Sequence, residues 1–402
     1  MNKLAQDKRV RILHDLLERD AQRTIVRQNK VSIKTVARLL ADAGDMAIDH
    51  IRSLGGLRFR CVQADELYSF VGAKERNVPR MKSKNPDAGT VWTYLAIDAD
   101  SRFVFDYRLG GQNLYDATNF MKSVAGKLKR RADGRFVRRP TIVTDGLHSY
   151  KEACQIAFGT DADVGMLIKK YSGTDPNGNR LPGSRYEDSI RVPLIGSPRR
   201  EDITTAHIER YNLTLRSLNR RYIRKDLGFS KRLNNHERQL ALALMYYNYC
   251  WTLGPRPATE AELTQGLPHR IKRSTPAMEA GLTDHIWDVD DLLKLTDEFV
   301  ARRSTEAAQG EEIDKADPVV PTHWVYHRHT KYEAVVHNGT CSNCNNGAGK
   351  KGLPSKFGIW LPFASKEEAV RAAKELEPDR FRICNMCLGS YRNAYGYRGP
   401  RK

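Results

Sequence analysis

The order of strand-like and helix-like segments between residues 57 and 219 constrains the fold of this chain more than any other feature. Three strand-like runs lie at about 57–71, 91–98 and 102–109, and a helical pattern follows at about 115–131. A short apolar strand, a helix, another strand and a last helix then alternate up to residue 219. This alternation predicts an α/β domain whose helices pack on a central sheet.

Three acidic residues stand where these segments end or turn. Asp65 and Asp145 each lie where an apolar run meets a turn, and Glu209 lies in the last helical pattern. Carboxylates brought together at one sheet edge can hold two divalent ions about 3.5–4 Å apart for in-line attack on a phosphate. We therefore predict that these three residues are catalytic ligands of Mg2+ (or Mn2+), since an all-carboxylate site suits magnesium.

Each acidic assignment has an alternative at this stage. A single Asp before a turn is usually structural. The residues Glu66, Asp98, Asp100 and Asp106 could take the metal role instead. Strand alternation places Asp65 and Glu66 on opposite faces, and it does not indicate which of them faces the site.

The segment order βββαβαβα is that of a ribonuclease-H-like domain, so we predict such a catalytic domain at residues 56–252. Residues 172–200 interrupt the pattern, and because they are rich in Gly, Pro and Arg we expect a flexible insert there. Residues 253–300 are interpreted as the C-terminal part of the same core.

The charge balance indicates the class of partner. The chain has 402 residues, with 67 Lys and Arg against 48 Asp and Glu, so its net charge is +19. A surplus of this size favours nucleic acid over an anionic membrane surface. The sequence has no apolar run long enough to span a membrane and no apolar signal region at its N-terminus. We therefore expect a soluble intracellular protein.

A dense basic run begins in the last helix of the predicted domain and continues beyond it. Such density is typical of residues that contact DNA phosphates, although a basic run can also be a solvated face. The predicted contacts are Arg216, Arg220, Arg221, Arg224, Lys225, Lys231 and Arg232.

Residues 1–50 show three short helical patterns, at about 8–18, 21–27 and 32–43, and Ser32 can cap the third. Three helices with a tight turn before the last resemble a helix-turn-helix module, whose last helix enters the major groove. The residues expected to project toward DNA are Lys34, Thr35 and Arg38. The alternative is an ordinary helical bundle.

The C-terminal region contains two C-x-x-C pairs beyond a polar segment at 301–318, which is interpreted as a linker. Cys341, Cys344, Cys384 and Cys387 can hold one structural Zn2+ tetrahedrally. Residues 319–402 are therefore predicted to be a zinc-ribbon-like extension, with a helix at 366–376 and a basic tail. The full prediction is a ribonuclease-H-like α/β core with an all-α helix-turn-helix module before it and a small zinc-binding module after it.

A series of short segments between residues 8 and 294 carries a family resemblance. In chain order they are Asp65–Val71 with Lys74–Val78, Val91–Thr93, Ala96–Asp100, Thr144–Gly146 with Tyr150, Ile208–Thr214, Phe229–Lys231, Tyr246–Asn248, Thr275–Met278 with Gly281–Thr283, and Trp287. With these segments the chain resembles the DDE transposases of bacterial insertion sequences, specifically the IS-one-like family of the retroviral integrase superfamily.

The resemblance implies a ribonuclease-H-like fold in which Asp65, not Glu66, is the first metal ligand, beside Asp145 and Glu209. It implies an enzyme that cuts double-stranded DNA at insertion-sequence ends and joins the 3′ end to target DNA. A homodimer or higher homo-oligomer at the bacterial nucleoid is expected, because two DNA ends must be bridged. Two departures are Leu67-Tyr68, where Ile-Trp is more usual, and the lack of cysteines in 172–200.

Two other functions fit the same residues. A domesticated DNA-binding regulator would keep the N-terminal helices and the zinc unit without cutting DNA. A structure-selective nuclease on the same fold would cut DNA without joining it.

Overall fold

The structure is a computed structural model. It describes residues 4–83, 85–173, 181, 183–223, 227–313, 323–328, 333–338, 359–363, 365–376 and 381–384. The chain divides into two compact units, Met1–Ser304 and Thr305–Lys402.

The first unit contains most of the secondary structure that the sequence predicts. Its helices are α1 (Gln6–Leu17), α2 (Gln22–Asn29), α3 (Ile33–Ser53), α4 (Leu114–Lys127), α5 (His148–Phe158), α6 (Ala206–Leu218), α7 (Leu233–Met245), α8 (Glu260–Thr264), α9 (Pro276–Glu279) and α10 (Val289–Ile313), the last of which continues into the second unit after Ser304. Its strands are β1 (Cys61–Val71), β2 (Gly89–Asp98), β3 (Val104–Gly110), β4 (Thr141–Asp145), β5 (Asp163–Tyr171), β6 (Tyr186–Ile195), β7 (Arg256–Pro257) and β8 (Arg270–Ile271).

Strands β1 to β6 form one mixed sheet in the order β3-β2-β1-β4-β5-β6. β2 runs antiparallel to both β1 and β3, whereas β1, β4 and β5 run parallel to one another. This arrangement of β1 to β5 fits the ribonuclease-H-like fold that the segment order predicts. The mixed α/β core is therefore confirmed.

Helices cover both faces of the sheet beside its centre. On one face, the Tyr94 ring of β2 packs against Phe120 of α4 and Tyr150 of α5, with ring centroids 5.5 and 6.2 Å apart. On the other face, Gln63 of β1 accepts hydrogen bonds from the backbone N–H groups of His207 and Ile208 at the start of α6. These contacts fix α6 against the strand that carries Asp65.

Helix α3 is longer than the sequence predicts. Ser32 caps it as expected, since its Oγ accepts a hydrogen bond from Thr35 N at 3.1 Å. The helix does not end at Ala43 but continues to Ser53, because further apolar residues on the same stripe are buried. Its packing against α7 is reinforced by an ion pair between Asp45 and Arg238 at 2.7 Å. Helices α1 to α3 thus share one hydrophobic core with the sheet.

Two polar stretches are more regular than expected. Within the predicted flexible insert, β6 adds a sixth strand that pairs antiparallel with β5. Its residues are mostly exposed because it is an edge strand, so it lacks the apolar run that would have revealed it. Likewise, α10 extends to Ile313 through residues interpreted as a linker. Those expectations are wrong for 186–195 and 301–313.

The second unit is a small α/β module. Strands β9 (His323–Arg328), β10 (Glu333–Asn338), β11 (Ile359–Phe363) and β12 (Phe381–Ile383) form a sheet in the order β11-β9-β10-β12, and α11 spans Lys366–Leu376. The predicted helix at 366–376 is confirmed. Cys384 is buried, whereas Cys341, Cys344 and Cys387 lie outside the described residues, so the zinc site stays a prediction.

Over the described part of the chain, no helix combines the length and the apolar character that a membrane span requires.

Candidate active site

The register of the sheet aligns two of the predicted metal ligands. In the parallel pair of β1 and β4, Ala64 lies opposite Thr144. Asp65 and Asp145 are the next residue on each strand, so they lie side by side at the carboxyl end of β4. One ligand oxygen from each, together with one from Glu66, all lie within 4.8 Å of one another. The two aspartates therefore converge as predicted, and their catalytic role stays a prediction.

Asp65 is oriented by α6. Its Oδ2 accepts a hydrogen bond from Asn212 Nδ2 at 2.7 Å, and its Oδ1 accepts one from Glu66 N at 2.9 Å. Asn212 itself is buried. The side-chain amide thus fixes one carboxylate oxygen, as an outer residue does beside a metal ligand.

Glu66 faces α4 and α5 on the other side of β1. It pairs with Tyr94 across the β1–β2 ladder, and its Oε1 accepts a hydrogen bond from Gln112 Nε2 at 2.8 Å. The buried Tyr150 hydroxyl of α5 lies beside the same carboxylate. Asp65 and Glu66 point to opposite faces of β1, but the carboxylate of Asp145 at the end of β4 is within reach of both. Strand alternation therefore does not exclude Glu66 from the site.

Glu209 lies beside the cluster but is held by other residues. Lys169 Nζ of β5 lies 2.5 Å from Glu209 Oε1, and Thr205 Oγ1 also donates a hydrogen bond to that carboxylate. Burial is the largest cause that raises the pKa of Asp65 and of Asp145, and the charge of Glu209 adds to the rise of both. Among the described residues, the acidic side chains whose ligand atoms converge are those of Asp65, Glu66 and Asp145, and Glu209 does not belong to this group.

The other acidic alternatives have local partners. Asp98 Oδ2 accepts hydrogen bonds from the N–H and the hydroxyl of Ser101, and Asp106 Oδ1 pairs with Lys127 Nζ at 2.9 Å. Asp100 pairs with Arg60 at 2.8 Å. These three carboxylates therefore have structural roles. Of the alternative metal ligands, Glu66 is the one that belongs to the site.

Burial and mutual repulsion set the acidity of the cluster. Burial, followed by the charges of Asp145 and Glu66, raises the pKa of Asp65 well above its ordinary value. Burial and then the charge of Asp145 raise the pKa of Glu66 to about 7. Burial also raises the pKa of Asp145, against a hydrogen bond from Leu147 N and the charge of Lys169. A cation bound among these groups would relieve the repulsion.

The donor set fits a divalent cation with a preference for oxygen. The converging ligand atoms all belong to carboxylates, which are the hard donors that Mg2+ and Mn2+ prefer.

The predicted DNA-reading residues of α3 have different environments. Lys34 and Arg38 are exposed. Thr35 is half-buried, and its Oγ1 lies 2.9 Å from Ser32 Oγ in the helix cap. Thr35 therefore takes part in starting the helix instead of projecting freely, which the sequence did not predict. DNA contact by Lys34 and Arg38 stays a prediction.

The basic run after α6 divides into exposed and inward-facing residues. Arg216 and Arg220 are half-buried, and Lys231 and Arg232 are exposed. Lys231 Nζ lies 3.1 Å from the centroid of the Phe229 ring. The predicted contacts Arg224 and Lys225 lie outside the described residues.

Arg221 is the exception within this run. Its Nη1 donates a hydrogen bond to Ser230 Oγ at 2.9 Å, and Ser230 Oγ lies 2.8 Å from Nδ1 of the buried His236. Burial lowers the pKa of Arg221 to about 10. Its guanidinium group therefore stabilises the protein's own loop. In this conformation Arg221 does not offer the phosphate contact that the sequence predicts.

Three further residues complete the site: Lys169, Asn212 as a partner of Asp65, and Tyr150 beside Glu66. Helical spacing places Asn212 on the same face as Glu209, and Tyr150 stands in a segment that carries the family resemblance. Lys169 has no such signal. The pairing of Lys169 depends on the distance between β5 and α6, which no local pattern encodes.

No protein-family model matches this chain, and no curated protein matches it either. Among solved structures, it is similar to a Mos1 transposase paired-end complex with the left transposon end, at 14% identity and a TM-score of 0.19. That match covers 41% of this chain and 60% of the Mos1 chain, which is less than two thirds of its length.

Two further solved structures are similar over longer stretches. A piggyBac transposase synaptic complex with hairpin DNA matches at 9% identity and a TM-score of 0.33, covering 75% of this chain and 73% of that chain. The Mos1 strand transfer complex matches at 13% identity and a TM-score of 0.19, covering 60% and 78%. TM-scores this low carry no argument about function, and the IS-one-like family stays a prediction from the sequence.

Proposed function

We propose that this chain is a DNA transposase of the DDE type, which cuts strands at the ends of an insertion sequence and joins them to target DNA. The observation that supports this proposal is the alignment of Asp65 and Asp145 in adjacent parallel strands, with Glu209 supplied by the neighbouring helix. Asp145 ends β4, and the carboxyl ends of parallel strands are where open α/β sheets bind their ligands.

Asp65, Asp145 and Glu209 would hold the metal ions in this proposal. When bound, two Mg2+ ions activate the attacking water or 3′-hydroxyl and stabilise the leaving oxygen. The chain's own contribution is orientation. Asn212 fixes Asp65, and Gln63 fixes the start of the helix that carries Glu209. No covalent intermediate with the protein is required.

DNA would be held by positive charge around this centre. Lys169 borders the carboxylates, and Arg216, Arg220, Lys231 and Arg232 belong to segments that follow them in the chain. Such residues contact phosphates without reading sequence. Lys34 and Arg38 at the exposed start of α3 are the proposed contacts to the terminal repeats.

The test compares the wild type with Asp145→Asn on a duplex that carries the element's end, in Mg2+ and in Mn2+. We expect nicked and joined products from the wild type and neither from the variant. Asp284→Asn is the matched control, because the Asp284 side chain is 98% exposed. Equal products from the wild type and Asp145→Asn would contradict the proposal. Cleavage without joining would identify a nuclease instead.

The C-terminal unit is proposed to hold one structural Zn2+ through Cys341, Cys344, Cys384 and Cys387. Of these, Cys384 is buried, and its N–H donates a hydrogen bond to Val336 O at 2.9 Å. Metal analysis should find about one zinc per chain, and Cys384→Ser should lose it. Unchanged zinc content in that variant would exclude the four-cysteine site.

A further inference from the structure

Two arginines from distant parts of the chain meet at the turn between β2 and β3. Arg102 lies in that turn, and Arg273 lies between β8 and α9. Arg273 Nη2 donates a hydrogen bond to the backbone carbonyl oxygen of Asp100, in the same turn, at 3.0 Å. The turn follows Asp98, which pairs with Val62 at the start of β1. This arginine pair is thus separate from the carboxylates at the carboxyl end of β4.

Arg102 lacks a partner for its charge. The residue is half-buried, and its Nη1 is buried with no hydrogen-bond partner among the described residues. The carboxylates of Asp100 and Asp98 act on it electrostatically, but each has another partner. Asp100 pairs with Arg60, and Asp98 accepts hydrogen bonds from Ser101. A buried cation in this state is costly unless an anion joins it.

Arg273 shows the same deficiency on one side of its guanidinium group. The residue is only 9% exposed, and its Nε is buried with no hydrogen-bond partner in the described part of the chain. Its Nη2 is engaged, by Asp100 O and by Glu279 Oε2 at 3.4 Å. The pair therefore offers two buried N–H groups, one from each arginine, that the protein itself does not satisfy. Such groups are rare in folded proteins.

A third arginine adds to the positive charge. A π-helical turn, Tyr246–Cys250, holds the buried Tyr247 against α6, with its ring centroid 4.6 Å from that of Tyr211. Burial raises the pKa of Tyr247 to about 12, although the charges of both paired arginines and of Arg210 act to lower it. Arg210 is exposed on α6. Three guanidinium groups therefore act on this one tyrosine.

His207 at the start of α6 is subject to the same charge. Burial, and then the charges of Arg102 and Arg273, lower its pKa to about 4. Its backbone N–H and that of Ile208 both donate to Gln63 Oε1, so these N–H groups at the start of α6 are already used. Side chains, and not the helix terminus, are left to hold an anion.

We infer that Arg102 and Arg273 form a binding site for one phosphate group. An ordered water would satisfy the two N–H donors but would leave the repulsion between the two cations, whereas an anion relieves both. Guanidinium groups match the geometry of phosphate oxygens. The net charge of +19 favours the DNA backbone as the source of the phosphate. Free phosphate is a second source of the same chemistry.

The backbone at Arg102 permits a variant that spares the fold. Its φ is 67°, in the left-handed region that favours glycine, so Arg102→Gly removes the guanidinium group without straining the turn. Arg19 has a φ of 72° and an exposed side chain. Arg19→Gly is therefore a matched control with the same residue type and the same backbone conformation.

Thermal unfolding of the full chain, in phosphate and in chloride of equal ionic strength, tests the site. At about ten times the dissociation constant, phosphate should raise the melting temperature of the wild type by about 2–4 °C relative to chloride. We expect the same rise for Arg19→Gly and none for Arg102→Gly. An equal rise in all three proteins would place the phosphate elsewhere and overturn the inference. So would the absence of any phosphate-specific rise in the wild type, however the variants fold.

DNA binding separates the two sources of phosphate. Fluorescence anisotropy on a short duplex gives the slope of log affinity against log salt. If the DNA backbone occupies the site, this slope falls by about one in Arg102→Gly and is unchanged in Arg19→Gly. An unchanged slope in Arg102→Gly, together with the loss of its response to phosphate, assigns the site to free phosphate.

This inference goes beyond the proposed function and fails separately from it. If the wild type cuts DNA but phosphate does not raise its melting temperature, the inference fails and the function stands. If phosphate stabilises the wild type and not Arg102→Gly, but the end-containing duplex is never cut, the inference stands and the proposed function fails.

Discussion

Two groups of carboxylates near β1 differ in whether a cation neutralises them. Just before β1, Arg60 forms ion pairs with Asp100 at 2.8 Å and with Asp202 at 2.7 Å. Within β1, Asp65 and Glu66 form no ion pair with any residue in the described part of the chain.

The acidities of the two groups follow from this difference. Burial raises the pKa of Asp202, but hydrogen bonds from Arg199 and Arg60 outweigh it and leave that pKa below its ordinary value. At the other group, burial and then neighbouring carboxylates raise the pKa of Asp65 and Glu66. The neutralised group therefore stabilises the fold, whereas the other is arranged for a cation from outside.

The largest expected effect concerns chemistry. Asp65→Asn should lower the rate of DNA strand cleavage in Mg2+ by about two to three orders of magnitude, because a metal ligand is lost. Asp100→Asn, in the neutralised group, should keep the rate within about twofold, since Asp100 touches Arg60 and not the cluster. Both rates are measured by gel on the same labelled duplex. Similar losses in the two variants would remove the distinction between the groups.

Substitutions in the two groups should have the opposite order of effects on the stability of the fold. Asp202→Asn should destabilise the protein by about 1–3 kcal/mol, because it breaks a mostly buried pair with Arg60. Without metal, Asp145→Asn should instead raise the melting temperature by about 1–4 °C, because it removes repulsion among carboxylates. Thermal unfolding in a chelator measures both. A lower melting temperature for Asp145→Asn would show that its carboxylate stabilises the fold.

The two groups should also differ in their dependence on pH. The folded-state pKa of Glu66 is raised to about 7, so the folded protein binds the extra proton and its metal-free stability falls as pH rises from about 4.5 to 7. The slope for one such group is at most about 1.4 kcal/mol per pH unit. Unfolding in a chelator should show a shallower fall for Glu66→Gln than for the wild type.

The pKa of Asp202 is lowered in the folded state, so its effect on stability changes with pH in the opposite direction. Its contribution to the free energy of unfolding is present above its unfolded-state pKa near 4, and it is lost as pH falls through its folded-state pKa. Asp202→Asn should therefore reduce the loss of stability below pH 4, as seen in acid unfolding curves. Acid unfolding curves that coincide below pH 4 for the wild type and Asp202→Asn would contradict this assignment.

The smallest expected effect concerns the salt dependence of DNA binding. Replacing both Lys231 and Arg232 by Ala should reduce the slope of log affinity against log salt by about one per lost phosphate contact. Arg221→Lys should change that slope little, because the Arg221 guanidinium bonds to Ser230 inside the protein. Fluorescence anisotropy over a range of salt concentrations measures both slopes. An equal change in both variants would place Arg221 on the DNA surface.

The sequence predicts the framework of the site because its signals are local. The apolar run before Asp145 and the strand that carries Asp65 are visible as short patterns, and parallel strands bring their carboxyl ends to one edge. The helical phase of α6 likewise places Asn212 beside Glu209.

Other parts of the site depend on contacts between distant segments and could not be read from the sequence. The partner of Glu209 is set by how β5 and α6 approach each other, and Gln112, which donates a hydrogen bond to Glu66, comes from the loop before α4. Edge strand β6 carries few buried apolar residues, so its pairing with β5 was hidden by its composition. The inward turn of Arg221 depends on His236 and Ser230 in the same way.

The most direct test of the central claim is anomalous diffraction at the manganese edge from crystals of the full chain soaked in Mn2+. We expect a peak within about 2.5 Å of carboxylate oxygens of both Asp65 and Asp145. The absence of any peak between these two side chains at saturating Mn2+, in crystals of protein that binds the ion in solution, would contradict the account.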